Sequence, residues 1–168
     1  MAIEYTLVLI KPDGLVKSLT GNIISRLSET KLTIIGARMV AVDADLAESH
    51  YVHLRDKPFF GELIDYLTGK LHNSNRVFAL VYSGEDAIRK VRDVVGDTNP
   101  ETANPVTIRG AYGRITTLGL FENVVHASSS MEDAEKEIKL WFRPEEIVET
   151  IYPVAGKEII SEIITVWA

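Results

Sequence analysis

Residues 6–14 read Thr-Leu-Val-Leu-Ile-Lys-Pro-Asp-Gly, and they predict the first strand of the domain and the turn that ends it. The apolar run at its start, Thr6–Ile10, predicts a fully buried strand. Pro12 ends the strand, because proline has no N–H to donate to a neighbouring strand, and Gly14 permits a turn. Lys11 therefore stands at the end of a buried strand, where its amine either meets a counter-charge or ligand or snorkels to water.

Helices and strands alternate along the rest of the chain. Further strands are predicted at 33–42, 77–82 and 123–126. Helices are predicted at 21–30, 46–53, 59–67, 84–95 and 131–142, with a short one from 144. The predicted N-caps include Asp43, Ser83 and either Ser129 or Ser130, and Gly96 is a predicted stop. Residues 98–112 are predicted to form a long loop. This order predicts an α/β or α+β domain with helices packed on one face of a sheet.

Composition and charge exclude several classes of protein. The 168 residues fit one domain. With 18 basic and 24 acidic side chains the formal net charge is −6, so counterion release offers no general drive toward DNA or RNA. The absence of cysteine excludes a disulfide framework and a thiolate metal site. No apolar run reaches the ~18 residues of a membrane span, and the first residues do not resemble a secretory signal. We therefore expect a cytoplasmic protein with no nucleic-acid or membrane partner.

Among the four histidines, His126 has the context that best suits chemistry. It follows two valines of a predicted strand and precedes three serines and a helix, whose free N–H groups and dipole favour a nearby phosphate. Glu137 borders the apolar face of that helix and could accept a hydrogen bond from one ring nitrogen, leaving the other with a free lone pair. The alternative is an ordinary surface glutamate. His50 and His53, which lack a third ligand at zinc spacing, and His72, in a polar turn, are interpreted as surface residues.

Two arginines could add positive charge for a phosphate. Arg109 lies between Ile108 and Gly110, and its guanidinium offers a fork of donors that fits phosphate oxygens. Arg92 lies on the polar side of a predicted helix, where most arginines are simply solvated. No P-loop, dinucleotide-binding glycine pattern or kinase catalytic-loop motif is present. Any phosphate site must therefore gather separate basic residues locally, against the negative net charge.

Seven segments form an ordered series: Thr6–Gly14, His50–Tyr51, Lys57–Phe60, Gly96–Pro100, Thr107–Gly110, Asn123–Ser128 and Glu137–Phe142. Together they resemble the nucleoside diphosphate kinase family, over roughly residues 5–150. The resemblance implies one domain over residues 1–168, with a core at about 5–150 and a C-terminal extension at 151–168. It also implies a ferredoxin-like α/β (α+β) fold, an antiparallel sheet of about four strands covered by helices.

The resemblance further implies an enzyme that moves the terminal phosphate of a nucleoside triphosphate, typically ATP, onto a nucleoside diphosphate. By that match His126 becomes phosphorylated and then donates the group in ping-pong fashion, Glu137 orients the ring, and Lys11 takes part in catalysis. The residues implied to hold the nucleotide are Lys11, Tyr51, Phe59, Arg92, Thr98, Arg109 and Asn123, with Phe59 stacked against the base. Mg²⁺ is implied as a cofactor carried by the nucleotide phosphates rather than by direct protein ligands. The family also implies a homo-oligomer, with a hexamer favoured over a tetramer.

The chain departs from the common family pattern at several points. Ser129 stands where the active-site motif usually has Asp, which removes a negative charge and a strong N-cap. The segments 70–75 and 112–122 look longer than usual. Two alternatives therefore stay open: a nucleotide-binding regulatory module that has lost turnover, and a ferredoxin-like oligomerisation or RNA-binding domain. The intact candidate site residues oppose the first, and the acidic charge opposes the second.

Overall fold

The computed structural model describes residues 2–156, and the opening apolar run forms an inner strand of its main sheet. Strand β1 (Ile3–Ile10) pairs antiparallel with β3 (Arg76–Glu85) on one side and with β6 (Val125–Ala127) on the other. Strand β2 (Thr33–Ala41) pairs antiparallel with the far edge of β3, so the strand order is β2-β3-β1-β6. The predicted fold class, a four-stranded antiparallel sheet covered by helices, is confirmed.

Helices and a small hairpin connect these strands. The α-helices between residues 2 and 156 are α1 (Pro12–Val16), α2 (Thr20–Ser28), α3 (Ala44–His50), α4 (Phe60–Leu67), α5 (Ala87–Val95), α6 (Ile108–Tyr112) and α7 (Met131–Trp141). Short 3₁₀-helices lie at Val52–Leu54 and Pro144–Glu146. Two further strands, β4 (Arg114–Ile115) and β5 (Phe121–Glu122), form the hairpin. Of the helices in this range, none combines the length and apolar character needed to cross a membrane.

The side chains of β1 are buried on both faces of the sheet. Leu7 and Leu9 join one apolar cluster with residues of α3, α4 and α7, whereas Val8 and Ile10 join a second cluster with residues of α2 and α5. All four side chains are fully shielded from solvent. The expectation that helices pack on one face of the sheet was therefore wrong. A strand with apolar residues at successive positions presents an apolar surface on each side, and both sides need covering.

Several helix ends lie where the capping residues predict them. The Asp43 carboxylate accepts a hydrogen bond from a backbone N–H in the first turn of α3. At the start of α7 the cap is Ser130, one of the two serines predicted for that role. Gly96 follows α5 with φ of +84°, a conformation that favours glycine.

Two local predictions differ from the structure. Ser83 does not cap α5, because β3 continues to Glu85 and the helix begins after Asp86. The pairing of Ser83 with Tyr5 of β1 extends the strand, a tertiary effect that a capping preference does not register. The segment 98–112, predicted as a loop, ends in helix α6.

The C-terminal part of the chain is described only in part. Residues 151–156 form neither helix nor strand. The predicted extension continues to residue 168, and its portion from 157 onward lies outside the described residues. The division into a core and an extension therefore stays a prediction.

Candidate active site

His126 lies in β6, directly beside the end of β1. In the antiparallel register it is opposite Leu9. Val124, just before β6, has φ of +57°, and its backbone forms two bonds to the segment after β1. Its carbonyl accepts a 2.8 Å hydrogen bond from the Lys11 N–H, and its N–H donates to the Asp13 carboxylate at 3.1 Å. The sheet therefore brings Lys11 and His126 together although they are far apart in the sequence.

The His126 ring is held by a carboxylate from α7. Its Nε2 lies 2.9 Å from Oε1 of Glu137, and the other carboxylate oxygen accepts a 2.6 Å hydrogen bond from the Ser128 hydroxyl. That hydroxyl also accepts from the Leu7 N–H at 3.0 Å, so the carboxylate is supported by the sheet. Because a carboxylate only accepts, the proton of the neutral ring lies on Nε2, and Nδ1 keeps its lone pair. The side chain is 19% exposed, so the ring is not walled off from solvent.

Lys11 is buried beside this ring, with 5% of the residue exposed. Its Nζ lies 4.6 Å from the centre of the Tyr66 ring, within the range of a cation–π contact. Burial lowers the pKa of Lys11 to about 8, with Asp13 opposing the shift and Arg109 adding to it. A buried amine of this kind gains from an anionic ligand, and Lys11 lines the same cavity as His126.

Two arginines from different helices line this cavity as well. Arg109 of α6 is buried, and its guanidinium donates to the carbonyl oxygens of Gly96 at 2.9 Å and Val125 at 3.1 Å. Burial, together with repulsion from Arg92, lowers the pKa of Arg109 to about 10. The guanidinium of Arg92 in α5 makes no hydrogen bond or ion pair within the described part of the chain, so its donors are available to a ligand. Three cations are thus gathered at one place in a protein of negative net charge.

The remaining predicted residues form other parts of the same wall. The cavity has a volume of about 820 Å³, and Tyr51, Phe59, Thr98 and Asn123 line it. The side-chain amide of Asn123 donates to the Thr98 carbonyl at 2.8 Å, whereas its buried Oδ1 has no partner among residues 2–156. Phe59 is 42% exposed, and Tyr51 is buried, which raises the pKa of the Tyr51 hydroxyl far above its usual value. The structure therefore brings all nine residues of the predicted site to one cavity.

His50 corrects the sequence interpretation, because it is buried rather than at the surface. Only 4% of the residue is exposed, and its ring contacts that of His126 edge to face, with centroids 4.5 Å apart. Its Nδ1 accepts a 3.2 Å hydrogen bond from the indole N–H of Trp141. Burial, and to a lesser extent the nearby His126, lowers the pKa of His50 well below its usual value, so the ring is neutral with its proton on Nε2. The burial of His50 has no local signal in the sequence, since its partner Trp141 lies 91 residues away.

His50, His126 and Glu137 together offer three atoms of the kind that bind transition metals, all within 4.8 Å of one another. The hydrogen bonds already present oppose such a site. Trp141 donates to one nitrogen of His50 and so places the proton on the other, while Glu137 accepts from His126. A metal ion would have to displace both bonds. His50 and Glu137 are better explained as support for the orientation of the His126 ring.

The other two histidines differ in their exposure. His53 is exposed, as predicted, and lies at the cavity wall. The surface prediction for His72 was wrong, because its side chain is 12% exposed and packs edge to face against Tyr66, with centroids 5.3 Å apart. A polar turn is usually solvated, but this one folds back onto the neighbouring β4–β5 hairpin, where Glu122 lies 3.7 Å from the His72 ring.

The unusual serine at position 129 leaves the structure of the site intact. Ser129 is exposed, and its hydroxyl contacts the Asp133 carboxylate. The neighbouring Ser130 caps α7, so an aspartate at position 129 is not required for the helix to begin there.

Comparisons with known proteins identify the family. A family model described as nucleoside diphosphate kinase matches residues 4–147. The nucleoside diphosphate kinase of Pyrococcus horikoshii is 47% identical over 153 residues, which cover 91% of this chain and 92% of the relative. That of Archaeoglobus fulgidus is 46% identical over 145 residues, covering 86% of this chain and 90% of the relative.

Solved structures agree with the sequence comparison. A transition-state mimic of the Borrelia burgdorferi nucleoside diphosphate kinase, with bound vanadate and ADP, matches with a TM-score of 0.78 and 34% identity, covering 88% of this chain and 91% of the other. A halophilic nucleoside diphosphate kinase from Halobacterium salinarum, in complex with CDP, matches with a TM-score of 0.77 and 40% identity. The match covers 88% of this chain and 93% of the other.

The fold, the cationic cavity and these matches define a kinase that acts on nucleotides. The chain belongs to the nucleoside diphosphate kinase family, and it transfers the terminal phosphate of a nucleoside triphosphate to a nucleoside diphosphate. The prediction of an enzyme of this type is confirmed. Neither alternative, the regulatory module without turnover or the structural domain, is supported.

Proposed function

We propose that His126 carries the phosphoryl group between the two nucleotides as a phosphohistidine, so that one cavity serves donor and acceptor in turn. One observation supports this most directly. Glu137 holds Nε2 of the ring, which leaves the Nδ1 lone pair as the nucleophile, and Lys11, Arg92 and Arg109 line the cavity that the ring also lines. A phosphoryl group needs little besides positioning and positive charge around its oxygens, and this arrangement supplies both.

In the first half-reaction the Nδ1 lone pair of His126 attacks the γ-phosphorus. A nitrogen–phosphorus bond forms while the bond from phosphorus to the bridging oxygen breaks, and that oxygen leaves with the electron pair on the nucleoside diphosphate. The ring gains positive charge, and its Nε2–H stays hydrogen-bonded to the Glu137 carboxylate, which stabilises that charge. In the second half-reaction a terminal oxygen of the acceptor diphosphate attacks the phosphorus, the nitrogen–phosphorus bond breaks, and its electron pair returns to Nδ1.

The three cations have different parts in this proposal. The Arg109 guanidinium is already oriented by two backbone carbonyls, so little freedom is lost when it binds phosphate oxygens. Lys11 offers a point charge close to the end of β1, and an anion beside it would favour its protonated form. Arg92, without a partner in the described structure, can turn toward the phosphates as they enter.

The nucleoside would occupy the part of the cavity lined by Asn123, Tyr51, Thr98 and Phe59. Asn123 has a buried Oδ1 that meets no partner among the described residues, and it can accept a hydrogen bond from a sugar hydroxyl. Tyr51 and Thr98 lie on the same wall. The half-exposed Phe59 ring offers a stacking surface, and stacking tolerates every base because each base has a π-face. We therefore propose broad acceptance of nucleobases.

We further propose that Mg²⁺ is required and is held by the nucleotide phosphates. The Glu137 carboxylate, which lies 2.9 Å from the reacting ring, already accepts hydrogen bonds from His126 and Ser128, one on each oxygen. The cations around it suit phosphate oxygens rather than a second cation. These residues fit an ion that arrives with its substrate, and when bound it would neutralise charge on the β- and γ-phosphates. Removal of Mg²⁺ with a chelator should abolish transfer, and added Mg²⁺ should restore it.

A homo-oligomer, hexameric rather than tetrameric, is proposed as the working form. The outer strand β2 carries Ile34 and Met39, which are 41% and 53% exposed, and an edge strand of this kind favours association with another chain. Light scattering coupled to size-exclusion chromatography tests the number of subunits. We also propose that the enzyme works in the cytoplasm, where the nucleotide pools it would act on are found. Fractionation of cells that contain the protein tests this location.

One labelling experiment tests the phosphohistidine. The protein is incubated with γ-labelled ATP and Mg²⁺, denatured, and assayed for bound label that is acid-labile and alkali-stable. We expect label in the parent, transfer of that label to added GDP, and none in His126→Ala. His53→Ala is the matched control, because it removes an exposed histidine from the same cavity wall and should label normally. Full labelling of His126→Ala would overturn the proposal.

A further inference from the structure

The two segments of unusual length meet at one buried carboxylate, that of Glu122 in β5. Its side chain is 5% exposed. Oε2 accepts hydrogen bonds from Lys17 Nζ at 2.8 Å and from Arg114 Nε at 2.5 Å, and Oε1 accepts from Arg114 Nη2 at 3.1 Å. The ring of His72, from the other long segment, lies 3.7 Å from Oε1. One side chain therefore contacts three separate parts of the chain.

The charge of Glu122 is matched by its surroundings. Burial alone would raise the pKa of the carboxyl, but the hydrogen bonds from Arg114 and Lys17 outweigh burial and lower the pKa to about 2. The carboxylate is thus ionised throughout the working pH range. Because a buried charge is costly without its partners, Glu122 keeps Arg114 and Lys17 close to it.

The hairpin that carries Glu122 is short. Besides the Glu122 contacts, its ends are held by the Gly113 N–H, which donates to the Arg109 carbonyl at 2.8 Å, and by the Asn123 amide, which donates to the Thr98 carbonyl at 2.8 Å. The pairing of β4 with β5 consists of Arg114 with Glu122 and Ile115 with Phe121, which is too short a ladder to be stable by itself. Arg114 and Glu122 are directly opposite each other, so their ion pair closes the hairpin at its base. At the far end, Leu118 is 89% exposed.

This hairpin borders the cavity on its nucleoside side. Gly119, Leu120 and Phe121 line the cavity, and Asn123 follows Glu122 directly in the chain. His126, in contrast, is held by its pairing with β1 and by Glu137. Loss of the Glu122 contacts should therefore loosen one wall of the cavity without moving the ring that reacts.

We infer that Glu122 is a positioning residue for nucleotide binding: through Arg114 and Lys17 it holds the β4–β5 hairpin and Asn123 where they form the cavity wall. The inference rests on the proposed assignment of this cavity as the nucleotide site. It gives the long segment 112–122 a role in KM rather than in the chemical step.

Steady-state kinetics of Glu122→Gln test the inference. The glutamine amide has one acceptor oxygen instead of two, and its NH₂ group cannot accept from Arg114 or Lys17. The contacts at the base of the hairpin are therefore weakened. We expect KM for both nucleotides to rise by about tenfold, with kcat changed by less than about twofold. The rate at which phosphoramidate, a phosphoryl donor without a nucleoside, labels His126 should stay at the parent value.

Further variants separate positioning from stability. Arg114→Gln, which changes an exposed side chain, should also raise KM. The KM of the double variant should not exceed that of Glu122→Gln, because both substitutions break the same ion pair. Glu146→Gln is the matched control, since Glu146 pairs with Arg38 at a similar distance but does not line the cavity. It should leave KM unchanged.

Three results would overturn the inference: an unchanged KM in Glu122→Gln, a fall in kcat at constant KM, or additive effects in the double variant. If phosphoramidate does not label the parent protein, the proposed role of His126 is contradicted, whereas that of Glu122 is not.

Discussion

Replacement of Glu137 by glutamine should slow the formation of the phosphoenzyme without weakening nucleotide binding. In the parent, Nε2 of His126 donates to a carboxylate whose side chain is only 12% exposed, so water does not replace it readily. A hydrogen bond to a charged group contributes about 1.5–3 kcal/mol, against about 0.5–1.5 kcal/mol for a neutral one. The difference of about 1–1.5 kcal/mol acts on the positive charge that the ring gains during transfer, and corresponds to a rate roughly 5- to 13-fold lower.

Rapid-quench measurement of a single turnover with labelled ATP reads this rate directly. The expected result for Glu137→Gln is a slower maximal rate at an unchanged ATP concentration for half-saturation. Glu135→Gln is the matched control: it lies on the same helix, pairs with Lys139 at the surface, and should behave as the parent. An unchanged maximal rate in Glu137→Gln, or a change confined to half-saturation, would refute the role given to this carboxylate.

Three other perturbations test separate parts of the site. Because burial lowers the pKa of Lys11 to about 8, the amine loses its proton as the pH rises through that value. We therefore expect kcat/KM to fall above pH 8. The same fall in a Lys11→Arg variant would contradict the assignment of this titration to Lys11. Phe59→Ala should raise KM about tenfold for purine and pyrimidine nucleotides alike in steady-state assays, and a loss confined to one class would contradict stacking without base readout. His50→Phe should lower the free energy of unfolding by about 1–3 kcal/mol in urea titrations, because the Trp141 N–H loses its buried acceptor. His50→Gln should recover part of that loss. If both variants are as stable as the parent, the hydrogen bond from Trp141 to His50 does not stabilise the fold.

The features that could be predicted from the sequence are those with a local signal and those carried by motifs in a set order. The unbroken apolar run Thr6–Ile10 indicates a strand whatever lies around it, and Asp43 before α3 caps it through its own side chain. The ordered motifs that carry His126 and Glu137 predict both residues at one site. In the structure Nε2 of His126 lies 2.9 Å from Oε1 of Glu137. Such features need no knowledge of how distant segments pack.

The failures share the opposite property, since each depends on contacts between residues far apart in the chain. The sequence predicts His50 at the surface, but in the fold Trp141 of α7 packs beside it and donates a hydrogen bond to its ring. Ser83 has the character of an N-cap, but pairing with β1 keeps it in a strand. Glu122 gives no local sign of importance, because one partner, Lys17, lies 105 residues earlier and its pairing with Arg114 depends on how the hairpin folds. Helical or strand periodicity contains no information on such pairs.

The position of the phosphoryl group on the His126 ring shows which of its two nitrogens is the nucleophile. NMR of the phosphorylated protein, isotopically labelled at histidine, distinguishes phosphate on Nδ1 from phosphate on Nε2. Because Nε2 is held by Glu137, we predict a single phosphohistidine at residue 126 with phosphorus on Nδ1. Phosphate on Nε2, or on any residue other than His126, would contradict the assignment of Nδ1 of His126 as the nucleophile.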